Sequence, residues 1–173
     1  MNADFLLIRK MRQGDEQAFN LFIHKYYKEI LNYCSYHCPD KEYAEDLTQE
    51  TFVRFFAKLS DYRYMGKTKN YLYTIAGNLC RDYHRKINAI LLEEPLMEMQ
   101  NGLQAETDKM LNKITVETAL NSLPNDLREV IVLYYFQELK LTEISEVLQI
   151  GLPLVKYRMK QAKVRLEQLL KEE

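Results

Sequence analysis

Between Asp15 and Cys38, apolar side chains recur at Phe19, Phe22, Ile23, Tyr26, Tyr27, Ile30, Leu31 and Cys34. Steps of three and one lay a broad stripe along one face of a helix; a strand would alternate its faces every second residue. Asp15 offers an N-cap and Pro39 closes the segment. The same period predicts a helix over about 40–59, with Phe52, Phe55, Phe56 and Leu59 inward. It predicts another over about 68–87, carrying Tyr71, Leu72, Ile75, Ala76, Leu79, Cys80 and Tyr83. Only five glycines and four prolines interrupt 173 residues, so few positions favour the turns of a sandwich or barrel. The expectation is an all-α protein.

The pattern weakens between Asn88 and Asp108, where Pro95 and Gly102 would break a helix and Glu93, Glu94, Glu98, Glu106 and Asp108 add negative charge. This stretch reads as an acidic linker. Periodicity returns near Met110 and runs through Val116, Ala119, Leu120 and Leu123. Pro124 can open the next helix, with Leu127, Val130, Ile131 and Tyr134 on its inner face. Two small helical domains are therefore expected, 1–88 and 111–173, joined by a linker over 89–110.

Residues 141–155 have the layout of a helix-turn-helix: Ile144, Val147 and Leu148 point inward, and Ser145 is small where a second helix must approach. Gly151 can cap that second helix, and Pro153 falls in its first turn, where no amide donor is needed. Val155, Met159, Ala162, Leu166 and Leu169 form its expected buried seam. Beside the seam lie Lys156, Arg158, Lys160, Lys163 and Arg165, with no acid between residues 156 and 165. Such a stripe is self-repelling within a helix. Phosphates would convert that cost into affinity through counterion release; a solvated basic helix is the bland alternative.

Two surfaces of the N-terminal half stand out. Glu42, Asp46 and Glu50, spaced by four, form an acidic row that Arg54 relieves only at its end. The helix macrodipole accounts for Glu42, whereas a basic partner surface accounts for all three. On the third helix, Asn70, Thr74, Asn78, Arg81 and Arg85 share a polar face, with Gly77 beside it. Residues 62–86 hold six bases against the single acid Asp82, and Tyr62 and Tyr64 adjoin them in the preceding loop. Rings beside positive charge suit unstacked bases, though loop tyrosines also serve as rim packing.

No stretch reaches the roughly 20 apolar residues that cross a bilayer. Residues 1–12 mix charges in a short helical pattern unlike a secretory leader, so an intracellular, cytoplasmic protein is expected. Cys34, His37 and Cys38 lie at helical spacing, but no second ligand pair follows, and buried cysteines on an apolar face are the simpler reading. No metal, cofactor or catalytic constellation is expected.

Together these segments resemble the extracytoplasmic-function (ECF) sigma factors of bacterial RNA polymerase, over nearly the whole chain. Residues 43–52 (YAEDLTQETF) resemble the region 2 signature, residues 71–83 (YLYTIAGNLCRDY) the promoter-melting helix, and Leu123-Pro124, Leu133-Tyr134-Tyr135 and residues 141–166 resemble region 4. The resemblance implies a non-catalytic specificity subunit that directs promoter-specific initiation. It implies docking on the β′ clamp helices through Asp46, Leu47, Gln49, Glu50 and Phe52, with region 4 near the β flap. It implies −10 contacts from Tyr62, Tyr64, Lys67, Lys69, Asn78, Arg81 and Arg85, the 61–69 loop holding an extruded base. It implies −35 contacts from Lys156, Tyr157, Arg158, Lys160, Gln161 and Lys163, and restraint by an anti-sigma factor, often membrane-bound. The linker is similar to the segment that threads near the polymerase active centre.

The departures concern promoter choice. Tyr71 stands where the family often has Trp, and Gly77 where a base is common. In region 4, Gln149 replaces a usual turn glycine, Leu154 a usual Thr and Gln161 a usual Arg; Gln161 could read adenine. A DNA-binding regulator that never engages polymerase would account for 141–166 but leave the acidic row unexplained. A metal-dependent enzyme built on Cys34, His37 and Cys38 is a further alternative.

Overall fold

The computed structural model describes residues 2–93 and 111–171. Those residues form eight α-helices: α1 (Ala3–Arg12), α2 (Glu16–His37), α3 (Lys41–Ala57), α4 (Thr68–Glu93), α5 (Leu111–Ser122), α6 (Asn125–Ile131), α7 (Leu141–Leu148) and α8 (Leu152–Lys171). Caps fix the starts where the sequence places them. The Asp15 carboxylate accepts from the Gln17 and Ala18 amides, and Asp40 accepts from Tyr43. Each satisfies donors that have no partner within the helix.

Helices α1–α4 surround an aromatic core. Phe22 stacks on Phe55 with ring centroids 4.8 Å apart, and Phe52, Phe56 and Tyr62 close around them. Tyr33 and Tyr73, both fully buried, extend this core towards the C-terminal half. In α5–α8 a smaller cluster joins Leu120, Leu123, Leu127 and Ile131 to Met159 and Ala162. Arg128, which the sequence does not single out, is buried and donates to the carbonyls of Leu120, Asn121 and Leu123. Its guanidinium thereby closes the C-terminus of α5, where unpaired carbonyls concentrate negative charge.

Several expectations shift. Helix α4 continues to Glu93, past the boundary expected at 88, while Met110 and the acidic residues Glu94, Glu98, Glu106 and Asp108 lie outside the described residues. Helix α6 runs into a π-helical turn, Val132–Phe136, which inserts an extra residue into the helical phase. Leu133 is consequently buried, and Tyr134, expected inward, is 38% exposed. Leu169, expected in the α8 seam, is exposed because α8 extends past its supports. Ser145 acts as a staple: its hydroxyl donates to the Ile150 carbonyl at 2.6 Å across the turn.

The two halves share one interface. Helix α4 packs against α7, and α2 against α6 and the π-helical turn. Val130, Val132, Leu133, Ile144 and Val147 join the same apolar cluster as Tyr33, Leu72 and Tyr73.

Candidate nucleic-acid interface

Helix α3 carries the acidic row on its open side. Glu42 and Asp46 are exposed, Gln49 likewise, and Glu50 is half-buried with one oxygen 2.9 Å from Arg54 Nε. Leu47 is half-buried, whereas Phe52 is 4% exposed and packs on Phe22, Tyr27 and Phe56. Phe52 therefore holds α3 in place from below and presents no surface of its own. Val53, which sequence reasoning passed over, is 59% exposed one turn beyond Gln49. The signal was present: positions 46, 49 and 53 fall on one helical face.

Helix α4 turns its polar face toward α7 and the loop at 61–67. Tyr62 and Tyr64 are half-buried: Tyr62 packs on Phe55 and Tyr71, and Tyr64 lies against Phe5 of α1. Arg12 of α1 fixes this loop, donating from Nε to the Leu59 carbonyl at 3.0 Å and from Nη2 to the Tyr62 carbonyl. Nothing in the spacing of the sequence connects Arg12 to that loop; only the fold brings them together. A cavity of about 530 Å³ opens here, lined by Tyr62, Lys67, Asn70, Tyr71, Glu146 and Val147.

The basic groups of this face are largely engaged. Lys67 Nζ reaches both Glu146 oxygens, at 2.6 and 2.8 Å, and Lys69 pairs with Glu29 at 3.1 Å. Arg81 Nη1 lies 2.8 Å from Glu129, and Arg85 lies 3.6 Å from Asp82 while remaining mostly exposed. Asn78 is exposed and accepts from Arg81. Burial pushes the Glu129 carboxyl above its ordinary value, although Arg81 and Arg158 pull it back. Glu143 is shifted the other way, chiefly because the Lys140 amide donates to it, with Asn70 adding a second donor.

Gly77 is buried, and a Cβ there would stand 2.9 Å from the Tyr33 hydroxyl. The sequence placed it beside the polar face as a missing phosphate grip. The structure instead gives this position to the close approach of α4 and α2, with no room for a basic side chain.

On α8, Lys156, Tyr157, Lys160 and Lys163 are exposed, and Gln161 is half-buried. Lys163 Nζ sits 5.9 Å from the Tyr135 ring centroid, a cation–π arrangement. No ion pair among the described residues involves Lys156, Lys160 or Lys163. Arg158 departs from the stripe: its side chain is 22% exposed and points to Asp126 of α6, 3.7 Å away. The turn before α8 holds Gln149 at φ 56° in the left-handed region, and the Gly151 carbonyl accepts from Leu154 and Val155 as an N-cap does. Cys34, Cys38 and Cys80 are all buried.

The Sigma-70 region 2 family model matches residues 22–89 and the Sigma-70 region 4 model matches residues 113–166. The chain is 29% identical over 178 residues to the ECF RNA polymerase sigma factor SigW of Bacillus subtilis (strain 168), covering 95% of each. It is 26% identical over 175 residues to the ECF RNA polymerase sigma-E factor of Salmonella typhi, covering 93% of this chain and 91% of that one. The solved structure of CnrH in complex with the cytosolic domain of CnrY superposes with a TM-score of 0.77 at 22% identity, over 99% of both chains. The sigma factor RpoE in complex with the anti-sigma factor NepR from Bartonella quintana gives 0.70 at 22% identity, over 88% of this chain and 96% of that one.

A helical bundle matching region 2, followed by a helix-turn-helix matching region 4, defines a sigma-70-type transcription factor. The chain belongs to the ECF sigma factors: it is a non-catalytic subunit that directs RNA polymerase to promoters and initiates transcription there.

Proposed function

We propose that this sigma factor divides its work among three surfaces. The open side of α3, through Asp46, Gln49 and Glu50 with Leu47 and Phe52 beneath, docks on the β′ clamp helices. The α4 face and the 61–69 loop engage the −10 element, with Asn78, Arg81 and Arg85 along the strand and Tyr62, Tyr64, Lys67 and Lys69 around an extruded base. Helix α8 enters the major groove of the −35 element through Lys156, Tyr157, Lys160, Gln161 and Lys163. Arg158 braces α8 against α6 and reaches DNA only if it leaves Asp126.

The observation that carries this reading is the segregation of charge. An acidic face on α3 lies in one half, and a cationic stripe without carboxylate partners among the described residues lies on α8 in the other. One side suits a basic protein surface and the other suits phosphate. A regulator that never met polymerase would have no use for the α3 row. Binding of the full chain to purified core polymerase, with run-off transcription from a randomised promoter library, tests the division. Asp46→Lys with Glu50→Lys is expected to abolish core binding with helicity unchanged; unchanged affinity would remove α3 from the docking surface.

The two solved relatives named above were each captured with a partner, and one of those partners is named as an anti-sigma factor. Restraint of this chain by an anti-sigma factor, which may be membrane-anchored in other systems, fits that likeness. None of the described helices is long and apolar enough to cross a membrane, which fits a cytoplasmic site of action.

A further inference from the structure

We propose that the α4 face is an interaction surface with two competing occupants, promoter DNA and this chain's own carboxylates Glu129, Glu143 and Glu146. The proposal rests on the assignment of α4 to the −10 element. Three contacts run from that face to the C-terminal half: Lys67 to Glu146, Asn70 to Glu143 at 3.3 Å, and Arg81 to Glu129. Each joins a carboxylate to a donor that a phosphate would otherwise use, and the charge-assisted geometry is what a phosphate oxygen would adopt. Glu146 and Val147 also wall the cavity beside Tyr62, so the space suited to an extruded base is closed from the α7 side. A Tyr73 hydroxyl donating to Gln137 at 2.6 Å ties the same two halves in the buried layer beneath.

The two occupants exclude one another because the donors are the same atoms. Lys67 Nζ cannot hold both Glu146 oxygens and a phosphate, and Arg81 cannot leave Glu129 without exposing a carboxylate that the closed form buries. The free chain is thus self-masked, and its DNA affinity is the intrinsic affinity scaled by the fraction that is open. The exposed pairs are individually weak, so the mask yields when polymerase holds the two halves apart.

The test compares the full-length wild type with Glu143→Gln/Glu146→Gln. Glutamine keeps an acceptor for the Lys140 amide, so α7 retains its cap. Glu16→Gln/Glu42→Gln, matched in net charge and remote from α4, is the control. Small-angle scattering reads the opening, and fluorescence anisotropy with a labelled single-stranded oligonucleotide reads the affinity. The masked wild type is expected near the dimensions of one compact body, about 16 Å in radius of gyration for this length. The α7 double variant is expected to expand and to bind the oligonucleotide a few-fold to about ten-fold more tightly, the control doing neither. An unchanged radius together with unchanged affinity would overturn the internal contact. Expansion without any gain in affinity would overturn the competition by a different route, showing that α4 is not the DNA face. A gain shared equally by the control would reduce the effect to net charge and overturn it too.

Discussion

Gly77 and Tyr33 meet where α4 crosses α2: a single methyl on Gly77 would stand 2.9 Å from the Tyr33 hydroxyl. That hydroxyl is buried and has no hydrogen-bond partner among the described residues. The position is closed by a rigid, fully buried ring, so neither side can yield cheaply. Gly77→Ala is expected to cost about 1–3 kcal/mol in urea unfolding. Tyr33→Phe, which removes an unpartnered polar atom, is expected to be neutral or slightly stabilising, and to restore most of the loss in the double variant. Additive losses in the double variant would show that the hydroxyl is not the obstacle.

Gln149 ends α7 at φ 56° and Glu138 ends the π-helical turn at the same φ, with the Leu139 amide donating to the Leu133 carbonyl. Both are helix-terminating positions that favour glycine. Gln149→Gly is expected to raise stability by about 0.5–1 kcal/mol, since the side chain is exposed and loses no contact. A thermal midpoint that falls would mean that the unfolded-state entropy of glycine outweighs the relief.

What could be read from the sequence divides along physical lines. The helices and their caps were legible because apolar period and capping chemistry are local: Asp15, Asp40 and Gly151 stand where the spacing puts them. The acidic row and the α8 lysines were legible because exposure follows from being off the apolar stripe. The π-helical turn was not, since one inserted residue shifts phase without a compositional mark, and it turned Tyr134 outward. Nor were Arg12, Arg128 or the pairing of Arg158 with Asp126, each of which depends on which helices become neighbours. Gly77 shows the converse: its type was noticed, but the close approach that requires it is a long-range fact.

Arg12 tests whether α1 has a part in positioning the loop at 61–67. Its two donors hold the carbonyls of Leu59 and Tyr62, and Phe5 packs on Tyr64 at 5.8 Å. Arg12→Met keeps the aliphatic stem and removes both bonds, at an expected cost of about 1–2 kcal/mol. Amide exchange should quicken across residues 60–67 while α2 and α3 keep their protection. Run-off transcription should fall with core-polymerase affinity unchanged. Unaltered exchange in the loop would reduce Arg12 to a surface residue.

The pH dependence of stability follows from His37, buried against the Tyr33 ring with its pKa held down at about 3. Burial is the main cause, and the charges of Arg128, His84 and Arg81 oppose protonation from α6 and α4. His84 is shifted the same way, mainly by burial. The unfolded chain takes up a proton near pH 6.5 and the fold does not, so stability contributed by neutral His37 is full above 6.5 and is lost as pH falls toward 3. The loss approaches about 1.4 kcal/mol per pH unit per histidine. Glu129, raised in the fold, works in the opposite direction as it protonates, so the difference between variants is the informative quantity. His37→Asn is expected to lower stability at pH 7.5 yet flatten its fall between pH 6.5 and 5; parallel curves would mean that His37 titrates normally in the fold.

Lys156 and Arg158 separate two kinds of basic residue on one helix. Lys156 is exposed on the open side of α8, whereas Arg158 turns to Asp126 with 22% of its side chain exposed. A phosphate contact contributes close to one unit to the slope of log affinity against log salt, because one condensed counterion is released. Lys156→Ala is therefore expected to reduce that slope by about 0.9 on duplex DNA carrying the −35 element, with the unfolding midpoint unchanged. Arg158→Ala is expected to leave the slope in place and to lower stability by less than about 1 kcal/mol, as loss of a partly exposed ion pair does. If the Arg158 variant also lost slope, the arginine would have to release Asp126 on meeting DNA, and α6 would stand closer to the promoter than the free structure places it.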